Sequence, residues 1–121
     1  MTDNYYSNLL AGDSNIVTQP ETILTGQDVV EGTVMGKITA SGKLVIVNSA
    51  NSDGSENPYA IMAQDTDASA ADVVAITYHA GQFNENELVF GGTDTIVTHR
   101  TAMRLLAMHA KPSVLTTGIQ P

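Results

Sequence analysis

Two patterns divide the chain. Before about Leu24 neither a 3.6-residue nor a 2.0-residue hydrophobic period holds for long. From there on, short apolar runs recur between stretches rich in Gly, Asn, Ser and Asp. "GTVMGKITASGKLVIV" sets Val34, Ile38, Leu44 and Ile46 among small polar residues, with Ser41 and Gly42 at a turn, and predicts a β-hairpin. "PYAIMA" (58–63) is a second run, behind a proline that suits a strand start. "DVVAITYHAGQF" (72–83) is β-branched and aromatic and predicts a strand running into a Gly turn, and "ELVF" (87–90) predicts a short one. The expected class is mainly β (α+β): a small domain of short antiparallel strands. One segment departs from that rhythm. "GTDTIVTHRTAMRLLAMHAKP" holds Ile96, Met103, Leu106 and Ala110 at helical spacing, with Ala102, Leu105 and Met108 beside them. It predicts a helix near the C-terminus over 95–107. Thr93 or Asp94 would cap it, His109 and Lys111 would lie at its far end, and Pro112 would stop it. "SVLTTGIQP" reads as an edge strand or a tail.

The aperiodic segment, residues 1–22, is polar with three apolar beads: Tyr5 and Tyr6, Leu9 and Leu10, Ile16 and Val17. It predicts an extended, flexible N-terminal arm ahead of a domain over 23–121. A 22-residue chain reaches roughly 70 Å when extended. Within "SNIVTQ", the β-branched Ile16, Val17 and Thr18 suit addition of a strand to an open sheet edge, and Pro20, lacking an N–H, should end the pairing.

Composition narrows the functions. At 121 residues and 42% hydrophobic, the chain suits one domain with a real core. Thirteen acidic against five basic residues give a net charge of −8, which repels phosphate backbones and argues against direct nucleic-acid binding. The absence of Cys excludes disulfides and thiolate metal sites. No stretch approaches the length of a membrane-spanning helix, so no membrane partner is expected. The N-terminus has no positive region of a secretory signal, so a chain made in a cytoplasm is expected.

Candidate chemistry is sparse. "NSANSDGSENP" (48–58) resembles a calcium loop only in part. Aligning Gly54 with the EF-hand glycine puts Asn51 and Asp53 at ligand positions, but Ser49 and Ala60 occupy the first and last, where carboxylates are required. The composition equally suits a turn between strands. "GKITASGKL" has five residues between its glycines and Leu44 after Lys43, so it fails as a phosphate-binding loop. Asp65, Asp67 and Asp72 could hold a hard cation weakly, or cap turns. His99 and His109, placed on one helix, would stand roughly 15 Å apart and could not share a metal. No G-x-S-x-G elbow is present, although a Ser–His–Asp set is compatible with the composition. The expectation is no catalytic residue, no metal and no cofactor: a binding module rather than an enzyme.

The order of these parts resembles the head decoration proteins of lambda-like tailed phages, from about Leu24 to Lys111. The resemblance runs through the strand Gly32–Thr39 with Gly36 and Lys37, the Ser41-Gly42-Lys43 turn and the Asp53-Gly54-Ser55 loop. It continues through Pro58 with its apolar run, Asp65-x-Asp67-Ala68, Ala71-Asp72-Val73, Gly81-x-Phe83-Asn84 and the helix with Arg100, Arg104 and Leu105. The resemblance implies a small domain that trimerises and binds the expanded head at threefold positions. There it would hold neighbouring capsid proteins together against packaged DNA, on the outer surface of the virion. It implies the major capsid protein as partner, and an arm that adds a strand to it. On this sequence the capsid-binding residues would be Asn15, Ile16, Val17, Thr18 and Gln19. Two other readings stand beside it. One is a biotinyl- or lipoyl-like carrier with Lys43 at a hairpin tip, although Gly42 and Leu44 flank that lysine poorly. The other is a small sugar- or ion-binding β module, which a calcium titration would reveal.

Overall fold

The middle strands of the sheet are buried on both faces, which explains why their apolar residues run on without a break. The computed structural model describes residues 16–111. In chain order the elements are β1 (Val17–Ile23), β2 (Gln27–Val29), β3 (Val34–Lys37), β4 (Leu44–Ile46), β5 (Pro58–Met62), β6 (Thr66–Ala68) and β7 (Val73–Asn84). A single 3-10 turn (Glu85–Glu87), α1 (Ile96–Leu105) and β8 (Met108–Lys111) follow. Six strands form one sheet in the order β1-β4-β3-β5-β7-β8, and β1 also pairs with β7, so the first five close into a small barrel. β2 and β6 form a separate two-stranded ribbon. The described residues are thus mainly β with one α-helix, in their C-terminal part, as the pattern predicts.

Alternation on β3 and β5 sorts the core into two halves. Met35, Ala60 and Met62 face inward with Ile23, Leu44 and Ala75, under the β2–β6 ribbon with Val29 and Ala68. Val34 and Ile61, opposite each other across the ladder, face the other way and pack with Val47, Phe83, Met103 of α1 and Met108 of β8. The hairpin at Ser41–Gly42 forms as expected, with β3 antiparallel to β4 and Gly42 at φ +75°.

The structure differs from the sequence reading at four places. The expected boundary at residue 22 falls inside β1, whose residues 17–23 pair antiparallel with β7 along Ala80 to Val73. "VTQPETI" carries one buried apolar residue, Ile23. It shows no period of two because the edge of β7, rather than its own hydrophobic face, makes it a strand. The helix ends at Leu105, short of 107, and His109 and Lys111 belong to β8. Ala107 takes a left-handed conformation (φ +65°) that breaks the helix, and its N–H bonds Arg104 O at 3.0 Å. The predicted strand 87–90 reduces to one isolated parallel bridge, Val89 to Thr33. Finally, β2 and β6 arise in segments too polar to announce strands, and "SVLTTGIQP" lies outside the described residues.

Candidate functional site

The five residues singled out for strand addition lie at the start of β1. Asn15 lies outside the described residues. Ile16 and Val17 are each 44% exposed, Thr18, Gln19 and Pro20 are exposed, Glu21 and Thr22 are half-buried, and Ile23 is buried. The strand thus enters the core at one end only, although Thr77 Oγ1 also donates to Gln19 O at 3.0 Å. Val17, Thr18 and Gln19 pair with Ala80, Tyr78 and Thr77, with a bulge at the Val17/Thr18 step. On its other side β1 meets β4 only at Ile23, opposite Leu44. Leu24 N–H donates to Leu44 O at 3.0 Å, which turns the backbone groups of the even-numbered residues away from β7. Pro20 therefore sets its missing N–H on the open side, where it costs no ladder bond and blocks pairing there.

Under β1 lies a half-buried polar cluster. Tyr59 Oη, from β5, donates to Glu21 Oε2 at 3.3 Å and accepts from Lys37 Nζ of β3 at 3.3 Å. The Lys37 ammonium sits 4.7 Å from the Tyr59 ring centre. His79 of β7 packs edge-on against the same ring at 5.1 Å. Its Nε2 lies 3.2 Å from Glu21 Oε2, but off the line of a hydrogen bond, so the nitrogen is buried without a partner.

The Asn48–Pro58 loop is built as a turn. Asp53 Oδ1 accepts from the Ser55 N–H and hydroxyl, and Glu56 Oε1 accepts from Gly54 N–H at 2.8 Å. These bonds, the Ser55 hydroxyl first, hold the Asp53 carboxyl below its ordinary range. Gly54 has φ +106°, and a Cβ there would come within 2.2 Å of Thr39 Oγ1. Asp65, Asp67 and Asp72 are likewise each engaged separately. Asp65 caps Glu31 N–H, Asp67 bonds Ser69, and Asp72 bonds Thr25 N–H and pairs with Lys43 at 2.6 Å. Among the described residues no three His, Asp or Glu side chains converge on a metal position. Lys43, the residue a carrier would modify, has its ammonium on Asp72.

One Ser, one Asp and one His do meet. Asp94 accepts from Ser49 N–H at 2.7 Å, from Ser49 Oγ at 2.6 Å and from His99 Nε2 at 2.8 Å. Both Asp94 and His99 side chains are 4% exposed, and Phe90 stacks on the imidazole at 5.5 Å. The Ser49 hydroxyl, followed by His99, lowers the Asp94 carboxyl from its ordinary value. The carboxylate lies between the other two groups. The serine hydroxyl therefore points at Asp94 and not at His99, and the imidazole cannot take its proton as a nucleophilic triad requires. The cluster is a clasp tying the loop to the start of α1. The cap expected from Thr93 or Asp94 falls instead to Thr95, whose N–H bonds Thr98 Oγ1 at 3.1 Å.

Two apolar surfaces were not foreseen. On the outer face of β7, Val74 is 66% exposed and Ile76 is 41% exposed, opposite Thr22 and Pro20 of β1. On α1, Val97 and Leu105 are 81% and 82% exposed, eight residues apart and hence on one face. Alternation in "VVAIT" carries the first signal: with Ala75 and Thr77 inward, Val74 and Ile76 must point out. Leu105 reads as core by spacing alone, because a short helix gives two stripes of similar strength.

A family model described as bacteriophage lambda head decoration protein D matches residues 2–110. No curated protein matches the chain.

Proposed function

The chain belongs to the bacteriophage lambda head decoration protein D family, and from that membership we propose how it engages the head. It acts as a trimer at threefold positions on the outer surface of the expanded shell. It binds the major capsid protein there and holds neighbouring subunits together against the pressure of packaged DNA. The family match over residues 2–110 carries the reading. Three features of the chain support it. The charge of −8 suits contact with protein rather than with the packaged nucleic acid. Asp53, Asp65, Asp67, Asp72 and Asp94 are each engaged in bonds that hold loops and strands. The N-terminal strand buries side chains only toward its last residues, and the side chains of Ile16–Gln19 are exposed and accessible to a capsid strand.

The energetics favour several arms acting together. Val17–Gln19 are already paired with β7, so a capsid strand exchanges their backbone bonds rather than adding to them, and fuller burial of the half-covered Ile16 and Val17 contributes up to about 3 kcal/mol. One arm binds weakly, and three on one trimer bind well through effective concentration. The structure also moves the informative cut. Deleting residues 1–22 would remove most of β1, whereas deleting 1–19 removes the capsid-binding stretch and leaves the buried end, Glu21–Ile23, in place. The test is co-sedimentation of the full-length and 1–19-deleted proteins with expanded shells, with cryo-EM of the decorated particle. The expected result is trimeric density at threefold positions for the full chain and weaker binding for the truncation. Failure of the full chain to bind expanded shells would overturn the reading.

A further inference from the structure

We propose that β1 is a releasable strap: on capsid binding its outer half, residues 16–20, leaves β7, pivoting at Glu21–Ile23. The inference rests on the decoration reading above and concerns how the arm is made available. Four observations carry it. Burial rises along β1 from exposed at Val17 to fully buried at Ile23, so the first half can lift without opening the core. The ladder is already irregular at the Val17/Thr18 step, where β7 carries an extra residue. The pivot is held by side chains, Glu21 by Tyr59 and Ile23 by its burial beside Leu44 and Ala75, whereas among the described residues the outer half has one side-chain bond, from Thr77 Oγ1 to Gln19 O at 3.0 Å. Pro20 blocks the open side of β1, so a capsid strand cannot run along that edge while β1 stays in place. For Ile16–Gln19 to give both neighbouring residues' backbone groups to a new partner, they must come off β7. Lifting them opens the edge of β7 from Ile76 to Ala80, the residues they pair with.

A cross-strand lock tests this. Thr22 and Val74 are directly opposite. Leu24 N–H bonds Leu44 O on one side and Ala63 N–H bonds Ile76 O on the other. The Thr22–Val74 pair is therefore of the non-hydrogen-bonded kind, where side chains come closest. Pro20 and Ile76, two positions along each strand, form a pair of the same kind and lie within the strap. The chain has no cysteine, so each double variant would carry a sole disulfide. Oxidised Pro20→Cys/Ile76→Cys should bind expanded shells at least tenfold more weakly than the same protein after reduction. Thr22→Cys/Val74→Cys closes the pivot, which stays in place, so its oxidised and reduced forms should bind alike, and a tenfold loss there would overturn the pivot. Equal binding of the oxidised and reduced Pro20/Ile76 proteins would overturn the strap and leave the decoration reading intact. Failure of the reduced and wild-type proteins alike would overturn the decoration reading. In that case hydrogen exchange of the free protein decides: the Gln19 amide should exchange at least tenfold faster than that of Ile61, and equal rates would sink the proposal.

Discussion

Replacing Ile23 by Ala should lower stability by about 3–4 kcal/mol, and the reason lies in where β1 enters the core. Ile23 is fully buried among Val29, Leu44 and Ala75. Truncation to Ala removes three carbon groups, a transfer loss of about 2.4 kcal/mol at ~0.8 kcal/mol per methylene. A cavity adds to this at about 24 cal/mol per Å³, to the extent that the site cannot collapse. Collapse is hindered here because the backbone at residue 23 is bonded on both sides, to β4 at Leu44 and to β7 at Val73. The change should therefore sit in the upper half of the ~2–5 kcal/mol range for such substitutions. For a domain of this size it corresponds to a fall in Tm of about 12–25 °C. The control is Val17→Ala at the other end of the strand, where the side chain is 44% exposed and the loss should stay below about 1 kcal/mol. Urea melts of the three proteins give both numbers from the midpoints, provided the slopes agree. A loss under 1 kcal/mol for Ile23→Ala, or equal losses at both positions, would refute the one-ended burial of β1.

Ala107→Gly should stabilise the protein by about 0.5–1 kcal/mol, because it relieves a left-handed residue at the end of α1; a lower urea midpoint would contradict this. Gly54→Ala should destabilise it by more than about 2 kcal/mol, since the new methyl meets Thr39 and the Lys37 carbonyl at a φ of +106°; a Tm unchanged from wild type would show that the loop gives way. Asp94 has a folded-state pKa below its unfolded one, so its contribution is present at neutral pH and is lost as pH falls below about 4 toward the lower folded value. Asp94→Asn should flatten that part of the acid melting curve, and an unchanged curve would remove Asp94 from the account. Calcium or chelator should move Tm by no more than about a degree, because Asp53, Asp65 and Asp67 are each engaged with separate partners; a clear rise with calcium would reopen the loop as a site.

Much of the scaffold was legible because burial writes periodicity into sequence. The β3–β4 hairpin, β5 and β7 bury apolar residues on one or both faces, and their runs end at Gly, Pro or Asn. The elements that escaped share a physical cause. β2 and β6 bury one or two residues each and pair mainly with one another, so Asp28 and Asp67 stand opposite each other in segments that read as loop. β8 is too short to show a period and follows a helix whose stop is an alanine rather than a glycine or proline. The Ser49–Asp94–His99 clasp joins positions up to fifty residues apart, and no local spacing announces it.

The arm is the instructive case, because the reading of residues 16–19 as strand-formers and their place in β1 are not in conflict. β-branched residues with little buried area make a strand wherever an edge is offered. In the free chain that edge belongs to β7, and on a shell another can compete for it. The half of β1 that carries Ile16–Gln19 holds no buried side chain; its ladder bonds to β7 are replaced nearly one for one by a similar ladder elsewhere, and the bond from Thr77 Oγ1 to Gln19 O is what it gives up besides. The outcome then turns on the side chains. Ile16 and Val17, half-covered on β7, gain by moving to a partner that covers them fully, by up to about 3 kcal/mol for the pair at half a side chain each. A partner that left them exposed would gain nothing and would leave β1 where it is. Ile16→Ser/Val17→Ser should accordingly weaken shell binding while changing the stability of the free domain by less than about 1 kcal/mol. If the two losses were equal, the side chains would be serving β7 and not the shell.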